Sequence, residues 1–300
     1  MSSKEKWLFY NDGHVCHSNQ IILASQFYED EGSAFSRVSM VRNFLNSTTG
    51  NWYYANLEDT VISVTYTKSE NISYFMGKNG NILVNGQGQR RVETIPDAGK
   101  YGDILRIRAI NDNVYICGMT GQILIREKNG WQHIDESLLG TYELDFEDID
   151  GSNYDDIYAV GMQGVIYHFD GKVWNQIDSP TNRSLSNVRC LSKKEVYICG
   201  DNGSLFRGNK DNGWLFMGDP KINHNFWGME SYKGKIYVAY QGGIMTYDGN
   251  NLSYLDFDLD KKIDCHRLSA NDGVLLSCGV DNLAIFNGQK WSLIGCPENV

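Results

Sequence analysis

Three hundred residues with 41% hydrophobic and 21% charged side chains can bury a large core, and that balance excludes a chain disordered by composition. No window approaches 18 consecutive apolar residues, which excludes a membrane-spanning helix, and a net charge of −10 disfavours nucleic acid as the direct ligand. Thirty-one glycines, four prolines and 12% aromatics suit many short strands joined by tight turns.

The chain opens with Met1-Ser-Ser-Lys-Glu-Lys6 and Trp7-Leu-Phe-Tyr10, an apolar stretch too short for a signal-peptide core, so a cytoplasmic location is expected. Trp7–Tyr10 resembles a fourth strand placed ahead of the first complete unit. From there one phrase recurs. Its clearest copies are Val114-Tyr-Ile-Cys-Gly-Met-Thr-Gly-Gln-Ile-Leu, Ile157-Tyr-Ala-Val-Gly-Met-Gln-Gly-Val-Ile-Tyr and Val196-Tyr-Ile-Cys-Gly-Asp-Asn-Gly-Ser-Leu-Phe. Weaker copies begin at Ile21, Ser73, Ile236 and Val274. The spacing is close to 40 residues throughout, except for a longer first interval that holds the insertion Glu29-Asp-Glu-Gly-Ser33.

A second anchor follows each phrase: Trp52, Arg91, Trp131, Trp174, Trp214, Tyr254 and Trp291. Prolines 180, 220 and 297 each stand six residues beyond such an anchor, where the missing backbone donor marks the end of a unit. Within the third unit, β-branched content and alternation predict strands over Ile104–Ile110, Val114–Cys117, Gln122–Arg126 and Trp131–Ile134. Gly118-x-x-Gly121, Gly161-x-x-Gly164 and Gly200-x-x-Gly203 predict tight turns between second and third strands. Asn129-Gly130, Asp170-Gly171 and Asn287-Gly288 predict the next hairpin. Four strands per unit, repeated seven times, predict an all-β fold: one β-propeller domain over 1–300, seven four-stranded blades, units starting near 11, 60, 98, 140, 183, 223 and 261.

The stretch Asp155-Asp-Ile-Tyr-Ala-Val-Gly-Met-Gln-Gly-Val-Ile-Tyr-His-Phe-Asp-Gly-Lys-Val-Trp174 resembles the repeat of photosystem-assembly-factor-like and BNR-type propellers, from about residue 60 onward. The full aspartate box is missing, because Asp170 and Gly171 are adjacent. No Trp-Asp dipeptide occurs, which disfavours a WD40 reading. The resemblance implies the propeller fold and leaves function open, since that repeat serves assembly factors and glycosidases alike.

The seven cysteines are scattered without a Cys-x-x-Cys pair, so reduced, buried thiols are expected. Charge is uneven. Residues 101–180 carry a net −9, whereas 1–100 carry −1 and 181–300 carry none. The densest run is Glu143-Leu-Asp-Phe-Glu-Asp-Ile-Asp150, readable as a solvated loop or as a docking face for a basic partner.

First strands of propeller blades line a central channel, which nominates His14, Cys16, His17, Arg106, Arg108, Asp148, Asp150, Arg189, Phe226, Trp227, His266 and Arg267. Strand alternation would put His14 and Cys16 on one face and His17 on the other, so no metal site is expected. No paired carboxylates, nucleophile elbow, zinc motif or phosphate loop stands out, and neither catalysis nor a cofactor is expected. The partner-binding set is Asp145, Glu147, Asp148, Asp150, Arg106, Arg189, Trp227 and Arg267, while Trp131, Trp174, Trp214 and Trp291 are read as packing between blades. Charge and compartment together point to a protein partner with a basic surface. The narrowest form of that expectation is an immunity protein occluding a basic toxin domain such as a nuclease. A propeller glycoside hydrolase or lyase, and an assembly factor, are the alternatives.

Overall fold

The computed structural model describes residues 8–27, 35–46 and 49–297. They form seven antiparallel sheets of four strands each, and in every sheet the strands follow one another in chain order. The inner strands are Leu8–His17, Val61–Thr67, Ile104–Ile110, Phe146–Asn153, Leu185–Ser192, Phe226–Tyr232 and Arg267–Asn271, one for each of blades 1 to 7. Each touches the inner strands of the preceding and following blades, and the seventh touches the first. This is a closed seven-bladed β-propeller.

The recurrent Val-Tyr-Ile-Cys-Gly phrase is the second strand of its blade, and the reason it is apolar throughout lies in the stacking. In blade 3, Val114 and Ile116 enter the core shared with Ile72, Tyr74 and Met76 of blade 2. Tyr115 and Cys117 point the opposite way, into the core shared with Phe146, Ile149 and Ile157 of blade 4. A strand buried on both faces shows a continuous hydrophobic run instead of alternation. The turn that follows needs glycine: Gly121 has φ +77°, and a Cβ there would sit 2.2 Å from the Leu138 carbonyl oxygen.

Trp131, Trp174 and Trp291 are buried between blades. The Trp174 indole donates to the Ile134 carbonyl of blade 3 at 3.0 Å, and that of Trp131 donates to Glu93 of blade 2 at 3.1 Å. Trp214 departs from this expectation. It is half-buried at the edge of the core between blades 4 and 5.

Leu8–Tyr10 opens the inner strand of blade 1 and is not a fourth strand. Leu8 and Tyr10 pack onto Leu276, Leu283 and Ile285 of blade 7. The seam between first and last blades is held by Val15 N–H donating to Ser269 Oγ (3.0 Å), Asn271 Nδ2 to the Cys16 carbonyl (2.8 Å) and Tyr10 N–H to the Val280 carbonyl (2.8 Å). Trp7 and the insertion at 29–33 lie outside the described residues.

Candidate functional site

Every inner strand breaks register near its start. In blades 1 to 6 the break leaves Asn11, Ile62, Leu105, Glu147, Ser186 and Trp227 as extra residues opposite the second strand. In blade 7, His266 donates to the Cys278 carbonyl while Arg267 pairs with the same Cys278, which is the same bulge. A β-bulge re-aims the side chain it carries. All seven residues are half-buried, at the end of the channel where the inner strands begin. Trp227 is the one large aromatic of this ring, and Glu147 its one carboxylate.

Past the bulge, alternate residues line the channel in two tiers. The upper tier is Asp12, Ser63, Arg106, Asp148, Asn187, Gly228 and Arg267. The lower is His14, Thr65, Arg108, Asp150, Arg189, Glu230 and Ser269. Most of these residues bound a central cavity of about 240 Å³. An inner strand exposes an unpaired row of backbone donors to the next blade, and buried donors must be satisfied. The tiers do this. Asp12 accepts from Val64 N–H (2.9 Å), Ser63 from Ile107 (3.3 Å), Thr65 from Ala109 (2.9 Å), Asp148 from Val188 (3.0 Å) and Asp150 from Cys190 (2.9 Å).

The carboxylates also organise the arginines. Arg108 Nη2 lies 2.6 Å and 2.8 Å from the two oxygens of Asp148. Arg106 Nε lies 3.3 Å from Asp148 Oδ1, close enough to pair electrostatically but not aligned for a hydrogen bond, and its Nη1 reaches Asp12 at 3.5 Å. Arg189 pairs with Glu230 at 3.1 Å and, more loosely, with Asp150 at 3.9 Å.

Burial pushes Asp150 and Glu230 up to about 7, their arginine neighbours offsetting only part of the desolvation. It pushes His14 and His266 down to about 4, and Arg267 down to about 10, where the repulsion of Arg106 adds to it. Burial opposes the charge on Arg108 as well, but Asp148, Asp150 and Glu230 together hold that guanidinium above its ordinary range.

The eight residues singled out in the sequence therefore separate. Asp148 is fully buried and Arg106 is 5% exposed, so both are structural members of the channel and present no surface to a partner. Asp150 and Arg189 sit in the lower tier. Glu147 and Trp227 stand in the bulge ring, with Arg267 directly beneath. Asp145 precedes the strand, half-buried, and accepts the backbone N–H of Thr120 at 2.9 Å. The acidic run is thus neither a solvated loop nor one continuous face, because its second half is a channel strand.

Phe226, nominated for the channel, is wholly buried between blades. Cys16, expected on the face of His14, falls on a second register break and packs between blades 1 and 2. Asp12 and Glu230 went unrecognised as channel residues. The signal was present for Glu230: it stands six residues before its repeat phrase, as Arg108 does, and Asp150 and Arg189 stand seven before theirs.

Among the described residues no group of three His, Cys, Asp or Glu side chains is disposed to hold a metal ion.

No family model matches the sequence. The fold is shared with the WD40 β-propeller domain of Doa1, with a TM-score of 0.74 and 11% identity over 96% of this chain and 95% of that one. It is shared also with YCF48 bound to D1 peptide, with a TM-score of 0.68 and 15% identity over 95% of each chain. The second bears out the resemblance to photosystem-assembly-type propellers, at the level of fold. Sequence similarity reaches further with the immune protein Tsi7 of Pseudomonas aeruginosa, 31% identical over 266 residues that cover 82% of this chain and 85% of that protein. A likeness of that depth over four-fifths of the chain shows that it belongs to the family of the immune protein Tsi7.

Proposed function

We propose that this chain is an immunity protein that acts in the cytosol by binding a cognate toxin domain and occluding it. The observation that carries the reading is the similarity to an immune protein over four-fifths of the chain. The seven free cysteines, six of them buried, support a reducing compartment. The docking surface in this reading is the bulge ring. Trp227 supplies a half-buried aromatic anchor on a backbone fixed by Arg267, whose Nη1 donates to the Trp227 carbonyl at 2.8 Å. Glu147 makes no ion pair within 4 Å and no hydrogen bond among the described residues, with Arg106 and Arg267 acting on it only from farther away, and so can take a basic group of the toxin.

The test is to look for a toxin-like reading frame beside this gene, purify its toxin domain, titrate it with the propeller by calorimetry, and co-express the two. A one-to-one complex that protects cells supports the reading. A folded propeller that neither binds nor protects against that domain refutes it for that partner.

A further inference from the structure

Three of the four arginines on the channel wall are matched to carboxylates: Arg106 to Asp12 and Asp148, Arg108 to Asp148, Arg189 to Glu230. Arg267 is not. Its Nη1 donates to the carbonyls of Trp227 (2.8 Å) and His266 (3.3 Å), and among the described residues no carboxylate lies within 4 Å of it. Those two contacts fix the guanidinium, and Asp12, Asp148 and Glu147 attract it only from beyond ion-pairing distance.

Two blades away in the same tier stands Asn187, only 3% exposed, whose Oδ1 has no hydrogen-bond partner. Such an orphaned amide is rare inside a protein. The residue between them in the ring is Gly228, which has no side chain and borders the same cavity as Asn187 and Arg267. The Nε–H groups of Arg106, Arg108, Arg189 and Arg267 also lack acceptors, leaving this wall rich in donors.

We propose that the central cavity binds a small free oxyanion, a carboxylate or phosphate group, held between Arg267 and Asn187 across the gap at Gly228. A planar guanidinium matches two oxygens of such a group, and an amide can turn its NH₂ toward a third. The cavity of about 240 Å³ is large enough for a small oxyanion. Toxin docking is not part of this inference, so it stands or falls apart from the immunity reading.

The test uses the full chain without partner, titrated in parallel with inorganic phosphate and with acetate against sodium chloride of equal ionic strength. Binding to the folded state alone raises the melting temperature with a saturable dependence on ligand concentration. At least one of the two ions should do so beyond chloride, and for phosphate the ³¹P line should broaden. Arg267→Met should weaken that binding at least tenfold. Should that variant fail to fold, Asn187→Asp, nearly isosteric and repelling an anion, should weaken it by a similar factor. No saturable shift with either ion, or equal binding by a folded variant, overturns the proposal.

Discussion

Arg108 on blade 3 holds both carboxylate oxygens of Asp148 on blade 4, and the same carboxylate accepts the backbone N–H of Val188 on blade 5. One side chain thereby joins three consecutive blades, with Arg106 as a further neighbour. Removing one partner of a buried ion pair leaves uncompensated charge and costs about 3–5 kcal/mol. Asp148→Ala should lie at the upper end of that range, because it strands two guanidiniums and the Val188 donor. Asp148→Asn should recover part of the loss by still accepting from Val188. Urea denaturation of the two variants checks the ranking, and equal midpoints would show that the hydrogen bond to blade 5 contributes nothing.

The channel also sets a pH dependence. Asp150 and Glu230 have folded pKa values raised to about 7, so the folded state binds more protons than the unfolded chain between roughly pH 4 and 7. Their contribution is fully present below about pH 4 and is lost as pH rises through 7. His14 and His266, lowered to about 4, act in the opposite sense, contributing stability that is lost as pH falls through 4. The clean measurement is a difference curve. Wild type minus Asp150→Asn, in melting temperature, should decline from about pH 5 to 8 and then level off. A curve that rises over that range would show that Arg108 and Arg189 outweigh desolvation.

Trp174 and Trp214 occupy equivalent positions in the repeat but different surroundings. Trp174 is buried and donates to the Ile134 carbonyl. Trp214 is half-buried and meets the Tyr158 ring edge-on at 6.3 Å. Trp174→Ala should cost about 3–5 kcal/mol, the usual range for a buried large aromatic, and Trp214→Ala less than half as much. Equal losses in denaturant would mean that exposure does not separate the two sites.

The repeat was legible because stacking writes it into the chain. Ile116 and Cys117 must serve two different inter-blade cores, so every second strand is apolar throughout. The channel was less legible, and the bulge is the reason. Glu147 interrupts the alternation of its strand, so that Asp148 and Asp150 line the channel while Glu147 stands at the mouth. Read as a string, three acids in four residues look like solvated charge. That two of them satisfy Val188 and Cys190 of the next blade becomes visible only once the blades are stacked. Trp214 packs between blades but stays half-buried for a similar reason, since its burial is decided by the neighbouring blade and not by its own repeat.

The bulge ring gives the docking reading a kinetic signature. Trp227 projects from a carbonyl held by Arg267, so little backbone freedom remains for a partner to freeze out. Glu147 stands in the same ring with no ion-pair partner among the described residues, and burial raises its carboxyl above the ordinary range. A cationic group from the toxin would pair with that carboxylate. If the toxin docks here, Trp227→Ala should raise Kd by about 30-fold or more, the equivalent of roughly 2 kcal/mol, and chiefly through faster dissociation. Glu147→Lys should act mainly on association, with a loss that shrinks as salt shortens the screening length to about 8 Å and below. Asp148→Asn, which touches no surface, should leave both rate constants unchanged wherever the variant stays folded. Stopped-flow kinetics at two salt concentrations separates these effects. Wild-type rates in both ring variants would place the toxin on another part of the propeller, away from the channel mouth.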